Sequence, residues 1–305
     1  MLHLLKHRPW FDAALAWYFV TVWGSGFLAT KVGLQHAAPF TFLTLRFAFG
    51  LACVLPIVLV MQPRWPAGRE LGHVVVAGLL MHAVHLGGSH YTQYLGVSAG
   101  ITALILSAQP LITALIAVRW MGESLAARQW AGVIIGLAGV ALIVWHKVDV
   151  REASLASLVA VTVSLAGVTA GTLYQRVFCP LVDLRSAAAV QFAATIAVLA
   201  PLAWAFEDLR VDWSWELAGS ILFLVIGASL LAVSALHTLM RRGQATRVTS
   251  LLYLTPIFAV ALELPMFGVV PSALSLAGIA VTCLGVALVT MRTSPAPHIR
   301  KTSPS

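Results

Sequence analysis

The sequence predicts an all-α membrane protein with ten transmembrane helices, arranged as two inverted five-helix repeats. Three observations lead to this prediction: an excess of apolar residues, their distribution in ten long runs, and similarities between the two halves of the chain. Of the 305 residues, 60% are hydrophobic and only 10% are charged, whereas about 25% of the residues in a soluble domain are charged. So few charges cannot cover a soluble core, which excludes a soluble enzyme, a disordered chain and a secreted disulfide scaffold.

Ten apolar runs are each long enough to cross a bilayer as a helix, which takes about 20 residues. The runs cover residues 12–32, 39–60, 72–94, 98–119, 128–146, 155–175, 186–206, 216–238, 245–266 and 272–291. Charged and helix-breaking residues occupy the gaps between them, as expected for loops. The stretch over residues 293–305 is rich in Ser, Pro and Thr, and we expect it to be a disordered cytoplasmic tail.

The basic residues predict which side of the membrane each loop faces. Fourteen of the nineteen Lys and Arg residues fall on the side of the N-terminus, namely Lys6, Arg8, Arg64, Arg69, Arg119, Arg128, Arg176, Arg185, Arg241, Arg242, Arg247, Arg292, Arg300 and Lys301. Four fall on the other side, namely Lys31, Lys147, Arg151 and Arg210. Because short cytoplasmic loops are enriched in Lys and Arg, both termini are predicted to be cytoplasmic. The net charge of +8 therefore reflects topology, and no nucleic-acid partner is expected.

The second half of the chain resembles the first when it is shifted by 145 to 147 residues. The informative matches are prolines, glycines and one histidine, namely Pro56/Pro201, Pro110/Pro256, Gly122/Gly268, Gly132/Gly278, Gly139/Gly285 and His90/His237. Five crossings per half is an odd number, so the halves enter the membrane from opposite sides. We therefore assign residues 1–150 to the first repeat and residues 151–292 to a second, inverted repeat. Secondary transporters use this arrangement and bind their substrate near the membrane midplane, between the repeats.

Several short motifs in the first half strengthen this interpretation. They are Trp-Gly-Ser-x-Phe over residues 23–27 with Lys31 after it, Leu-Arg-Phe over residues 45–47, Gln-Pro at 109–110 and Gly-Glu at 122–123. Together with the five-plus-five pattern, they resemble the EamA family of the drug/metabolite transporter superfamily. The resemblance covers nearly the whole chain. It implies a ten-helix inner-membrane carrier, often an exporter of amino acids or related metabolites.

Arg46 is the one basic residue well inside a predicted span, roughly 10 Å from its outer end. Two interpretations are open: Arg46 snorkels outward or pairs with a carbonyl or helix end, or it anchors a substrate carboxylate or acts as a gate. The equivalent residue of the second half is Gln191, so the repeat does not assign this role twice. The other motifs also change in the second half, where Val269 replaces Glu123 and Thr255 replaces Gln109.

The third span carries a stripe of polar side chains. At 100° per residue, its members share one face of the helix: His82, His85, Ser89 and Gln93, with His90 and Tyr94 on the flank. Such a stripe either lines a water-filled cavity or supplies hydrogen bonds between packed helices, and we interpret it as a cavity wall. Two histidines three residues apart can share a metal, but a site needs three or four ligands. No metal site and no cofactor are therefore expected.

Further cavity candidates lie on other spans. They are Trp23, Gln109, Tyr174, His237 and Tyr253. Aromatic side chains suit an apolar or aromatic substrate, although near helix ends they also serve as interface anchors. Proline frees the carbonyl four residues before it, so Pro56, Pro110, Pro201 and Pro256 are predicted to be hinges, with ordinary packing kinks as the alternative.

These observations predict a secondary transporter that exports small metabolites by alternating access, with amino acids, including hydrophobic and aromatic ones, as the favoured substrates. A multidrug or other small-metabolite carrier is the alternative; an enzyme is not expected, because no convergent nucleophile or acid–base pair is found. All Asp and Glu residues fall in loops or near helix ends, which predicts a facilitator or a weakly proton-linked exporter. The expected partners are the small-molecule substrate and membrane lipid, with the protein a monomer or weak homodimer.

Overall fold

The computed structural model describes residues 9–121, 125–149, 154–232, 235, 238–239 and 255–290. Within these ranges the chain forms ten helices, numbered here α1 to α10, and no regular β-strand. Each helix overlaps one of the predicted runs. Their bounds are Pro9–Gly33, Pro39–Met61, Arg69–Tyr94, Ala99–Met121 in two pieces, Ala127–Asp149, Leu155–Phe178, Leu184–Phe206, Trp215–Ala232, Thr255–Phe267 and Ala273–Thr290.

Seven of the described helices are long and apolar enough to cross a membrane: α1, α2, α3, α4, α6, α7 and α8. The described parts of α5, α9 and α10 contain shorter apolar stretches, over Ala127–Ala141, Thr255–Phe267 and Ala273–Val289. The helical class and the membrane-spanning character of the chain are thus confirmed. Ten crossings in an inverted arrangement remain a prediction from the sequence.

Helices of the first half pack against helices of the second half. The same contacts are obtained when each helix is replaced by its counterpart in the other predicted repeat. The helix α2 packs along α7, α5 packs along α10, and α4 packs against α9. The helix α1 packs against α8 and α9, and its equivalent α6 packs against the equivalent pair, α3 and α4. The core is therefore formed between the halves as much as within each of them.

Glycines allow neighbouring helices to approach until their backbones touch. A Cβ atom at Gly285 of α10 would overlap the backbone of Gly136 on α5, and one at Gly132 would lie 2.6 Å from the Gly285 carbonyl oxygen. Gly167 and Gly171 of α6 face α3 in the same way. Two pairs of glycines four residues apart, Gly132/Gly136 on α5 and Gly167/Gly171 on α6, thus allow these helices to pack closely against α10 and α3.

The third helix of each predicted repeat departs from regular α geometry over part of its length. A π-helical segment spans Leu79–Val84 in α3, and another spans Phe223–Ala232 in α8. The repeat offset of 147 residues moves residues 79–84 onto residues 226–231, inside the second segment. Such segments are rare and frequently occur at functional sites. Neither segment is visible in the sequence, because a uniform period of 100° per residue cannot detect one added residue in a turn.

The structure differs from the sequence prediction in the helix α4. The sequence predicts one continuous helix with Pro110 near its middle, but regular helix stops at Leu106 and resumes at Gln109. Pro110 therefore lies in the first turn of the second piece, where a missing backbone N–H costs no hydrogen bond. The α4 helix is discontinuous at this depth rather than merely kinked.

Candidate substrate site

Arg46 is a buried cation within α2, seven residues after the helix begins at Pro39. Its side chain is packed so that the residue is only 8% exposed. The guanidinium Nη2 donates a hydrogen bond of 3.5 Å to the Ser229 hydroxyl on α8, and the Phe47 ring lies 5.8 Å away. None of the ion pairs formed between described residues includes Arg46. Arg46 thus has a long contact to one hydroxyl and no carboxylate partner in the described ranges.

The two π-helical segments bring further polar groups toward Arg46. Ser229 belongs to the segment of α8, and its hydroxyl donates to the Leu224 carbonyl at 3.0 Å, five residues back. His82 belongs to the segment of α3, where its ring lies 5.1 Å from Phe47, and Gly78, one residue before the segment, packs directly against Gln191 of α7. Arg46 and His82, both predicted from the sequence, therefore share one region with Ser229 and Gln191.

Aromatic rings cover one side of this region. The Phe192 ring on α7 lies 5.2 Å from Phe47 and 5.5 Å from His82. The three rings form an apolar wall beside the guanidinium, which is the combination expected for a ligand with both a charged group and an apolar body. Phe47 belongs to a motif noted in the sequence, and the repeat offset of 145 residues pairs it with Phe192. That the two rings meet follows only from the packing of α2 along α7.

His85 does not join this group. Its Nδ1 atom lies 2.9 Å from the Ser164 hydroxyl of α6, and that hydroxyl donates to the His85 carbonyl oxygen at 2.7 Å. The neighbouring Gly88 also packs directly against the α6 backbone. His85 therefore connects α3 with α6, which corresponds to the packing interpretation of the stripe at this position.

The rest of the α3 stripe is buried. Ser89 and His90 are 2% exposed and Gln93 is 8% exposed. The His90 ring lies 5.8 Å from Phe42, and its Nδ1 atom is 3.3 Å from the Ser89 hydroxyl. His90 Nε2 and Gln93 Oε1 have no hydrogen-bond partner among the described residues. Because buried polar atoms are normally paired, these two atoms favour the presence of a polar ligand or water beside α3.

The remaining candidates are spread over the molecule. Gln109 donates to the Thr172 hydroxyl of α6 at 3.0 Å, next to the break in α4. Trp23 packs on Phe19 and is 40% exposed. Tyr94, at the end of α3, is 53% exposed. His237 and Tyr253 lie outside the described residues.

Tyr174 belongs to a different cluster from Arg46. Its hydroxyl lies 2.8 Å from His73 Nδ1, and its ring is 4.5 Å from Phe178. His73 precedes His82 by nine residues, which corresponds to roughly 13 Å along a helix. His73 could not be singled out from the sequence. It lies at the beginning of the apolar run 72–94, outside the polar stripe of α3, and belongs to no motif.

The predicted hinge prolines fall into two kinds. Pro110 and Pro256 occupy the first turns of described helical pieces, whereas Pro56 and Pro201 lie inside continuous helices. Their motion stays a prediction.

A buried carboxylate, Glu263 on α9, joins the halves at one end of the bundle. It is 2% exposed and accepts hydrogen bonds from Lys31 Nζ at 2.9 Å and from the backbone N–H groups of Ala99 and Gly100 at 3.0 Å each. The carboxylate thus caps the N-terminus of α4, where a negative charge is favourable. The sequence placed Glu263 near a span end but did not reveal its burial or this role.

Glu207 repeats this arrangement at the N-terminus of α2. Its carboxylate accepts from the backbone N–H groups of Phe40 and Thr41 at 2.8 and 2.7 Å, and from the Thr41 hydroxyl at 2.7 Å. Nearby, the His36 carbonyl accepts from the Asp212 N–H at 2.9 Å. Two carboxylates of the second half therefore cap two helices of the first half. We call the end that contains Glu263 and Glu207 the capped end.

Known proteins resemble the chain over nearly its whole length. The inner membrane transporter YedA of Escherichia coli K12, described as uncharacterized, is 25% identical over 284 residues, covering 93% of this chain and 91% of its own. A "Probable amino-acid metabolite efflux pump" from the same strain is 23% identical over 262 residues, covering 82% of this chain and 85% of its own. The uncharacterized transporter YvbV of Bacillus subtilis is 25% identical over 251 residues, covering 81% of each chain.

A protein of known crystal structure has the same fold. It superposes with a TM-score of 0.64 at 19% identity, covering 93% of this chain and 97% of its own. The sequence profile of the EamA-like transporter family matches the chain twice, over residues 11–145 and over residues 154–291. These two matches confirm the resemblance drawn from the motifs. The chain belongs to the EamA-like transporter family.

Proposed function

We propose that this protein is a secondary transporter that exports small metabolites, with amino acids and related carboxylates as its substrates, by alternating access through a cavity between two inverted repeats. The observation that carries this proposal is Arg46, a buried guanidinium with free hydrogen-bonding capacity. Arginine recognises carboxylates in a bidentate geometry and stays charged when buried. The wall formed by Phe47, Phe192 and the His82 ring suits hydrophobic and aromatic side chains.

The arrangement of the helices supports transport between two halves. The packing of α1 to α5 on α6 to α10 is preserved when the halves are exchanged, as a two-fold relation between repeats requires. Five crossings in each half make that relation an inversion within the membrane plane. The discontinuous α4 adds a feature typical of transporter cores, where broken helices line the binding cavity.

The test is counterflow in proteoliposomes. Proteoliposomes that contain the purified protein are loaded with an unlabelled amino acid. A panel of labelled amino acids, including leucine and phenylalanine, is then added outside. We expect uptake that, at low substrate concentration, is strongly reduced in the Arg46→Gln variant. Arg210→Gln is the matched control, because the Arg210 side chain is 88% exposed and pairs only at the surface with Asp208. Exchange of hydrophobic cations instead of carboxylates would favour the alternative, a multidrug carrier of the same fold.

The orientation of the chain is tested separately. We propose that both termini are cytoplasmic and that the capped end faces outward. Single cysteines placed at Gln35 and Trp213 in a cysteine-free background should react with an impermeant reagent added outside intact cells, whereas one at Arg64 should not. Labelling of Gln35 and Trp213 on opposite sides would contradict the inverted arrangement.

A further inference from the structure

The candidate site has a net positive charge that the protein does not balance. The sequence has eleven Asp and Glu residues, and none of them lies within residues 13–69, 71–122 or 217–262. Those ranges include the middle of α2, α3, α8 and α9, so no protein carboxylate can reach the depth of Arg46 from these helices. Arg46 is itself 8% exposed. A buried charge without a partner costs several kcal/mol, so a ligand that supplies the missing charge is bound favourably.

The one carboxylate that is fully buried in the described ranges, Glu263, already has hydrogen-bond donors from the protein itself. Glu263 accepts hydrogen bonds from Lys31 and from the backbone of Ala99 and Gly100. It therefore has little remaining capacity to receive a ligand ammonium group. Its carboxylate is committed to the N-terminus of α4, whereas the described polar groups in the region of Arg46 are the Ser229 hydroxyl, the His82 ring and the Gln191 amide.

Those neighbouring groups supply hydrogen bonds without negative charge. The Ser229 hydroxyl and the Gln191 amide can bond an ammonium, an amide N–H or a hydroxyl of a ligand. An ammonium group would in addition meet the like charge of Arg46 in a low-dielectric environment, where charges interact strongly. A neutral group in its place avoids this repulsion and keeps the hydrogen bond.

We infer that the site selects its substrate by net charge, and this inference rests on the proposed function. The preferred substrates are amino-acid derivatives that carry a single negative charge, in which the α-amino group is acylated or replaced by an oxo or hydroxyl group. A zwitterionic amino acid leaves the loaded site with one uncompensated positive charge. A monoanion leaves it neutral, which is the state that crosses a membrane midplane at the lowest cost.

The experiment is a counterflow series at constant side chain. The probes are phenylalanine, N-acetylphenylalanine, phenylpyruvate and phenethylamine, which carry net charges of zero, minus one, minus one and plus one at neutral pH. We expect the two monoanions to exchange with half-saturation concentrations at least tenfold below that of phenylalanine, and the cation not to exchange. A second series from leucine, with N-acetylleucine and 4-methyl-2-oxopentanoate, repeats the comparison without an aromatic ring.

The outcomes separate this inference from the proposed function. If phenylalanine and leucine exchange as well as or better than their monoanions, the inference is overturned and the proposed function stands. If no carboxylate of either series exchanges, both are overturned. The Arg46→Gln variant gives the second readout: the preference for monoanions should disappear, whereas in Arg46→Lys, which keeps the charge, its direction should persist. A preference for monoanions that survives in Arg46→Gln would also overturn the inference.

Discussion

Glu263 and Arg46 are both charged and both buried, but their surroundings are opposite. Glu263, at the capped end, accepts hydrogen bonds from one ammonium and two backbone N–H groups. Among the described residues, Arg46, seven residues after the start of α2, reaches one hydroxyl at 3.5 Å. Since a buried ion needs both an opposite charge and satisfied hydrogen bonds to be stable, the fold accommodates the first charge fully and the second one poorly.

This difference distinguishes a structural charge from a functional one. The Glu263 carboxylate has used its hydrogen-bonding capacity to connect α9 with α1 and α4. The Arg46 guanidinium has five N–H donors, and among the described residues it has one hydrogen-bond partner, the Ser229 hydroxyl. Natural proteins tolerate such local violations mainly at functional sites. Removing Glu263 should therefore act on stability, and removing Arg46 should act on transport.

The largest effect is expected from Glu263→Ala. The substitution leaves the Lys31 ammonium and the N-terminus of α4 without their partner, and breaking a buried pair typically costs about 3–5 kcal/mol. Thermal unfolding in detergent should show a markedly lower midpoint. Asp208→Ala is the control, because its pair with Arg210 is exposed on both sides and such pairs contribute about 0–1 kcal/mol. Equal midpoints for the two variants would remove the distinction between the charges.

Arg46→Gln should impair transport without lowering the unfolding midpoint. Hydrogen bonds to charged groups contribute about 1.5–3 kcal/mol, which corresponds to a loss of affinity of about 10- to 100-fold. We expect the half-saturation concentration for carboxylate exchange to rise by that factor, with an unfolding midpoint equal to or above that of the wild type. A large fall in the midpoint would mean that Arg46 holds the helices together, as Glu263 does.

The sequence predicted the positions of the helices because the physics behind them is local. A bilayer demands long apolar runs, and each of the ten runs overlaps a described helix. The bounds agree to within a few residues, except in the runs 216–238 and 245–266, which extend outside the described residues. Arg46 was found for the same reason, since a charge inside an apolar run is conspicuous without any knowledge of its neighbours. Its partner Ser229 was not, because one serine in an apolar helix has no distinguishing pattern.

Contacts between the halves could not be predicted in this way. The caps on α2 and α4 come from Glu207 and Glu263, each more than 160 residues further along the chain. The α3 stripe was identified correctly as polar, but helical periodicity does not tell which helix a face meets. His85 therefore pairs with Ser164 on α6, whereas His82, one turn earlier, faces α2 and α7.

Glu207→Ala extends the comparison to the second cap and should have a moderate effect. Its carboxylate accepts three hydrogen bonds from Phe40 and Thr41, but it is partly exposed, so water can replace some of them. Loss of a helix cap costs about 0.5–2 kcal/mol. We expect a fall in the unfolding midpoint smaller than that of Glu263→Ala. Asp212→Ala, at an exposed position of the same loop, should leave the midpoint unchanged. A Glu207→Ala fall as large as that of Glu263→Ala would show that burial does not set the cost.

The smallest effect is expected from Ser229→Ala. The hydroxyl lies 3.5 Å from the guanidinium, at the long limit of a hydrogen bond, so its loss should change the half-saturation concentration by about twofold, equivalent to about 0.4 kcal/mol. Ser25→Ala is the control, because that hydroxyl bonds only its own helix, at the Thr21 carbonyl. A Ser229→Ala defect as large as that of Arg46→Gln would mean that this one contact positions the guanidinium. Arg46 would then be a partnered charge like Glu263, and its value as the ligand anchor would depend on α8.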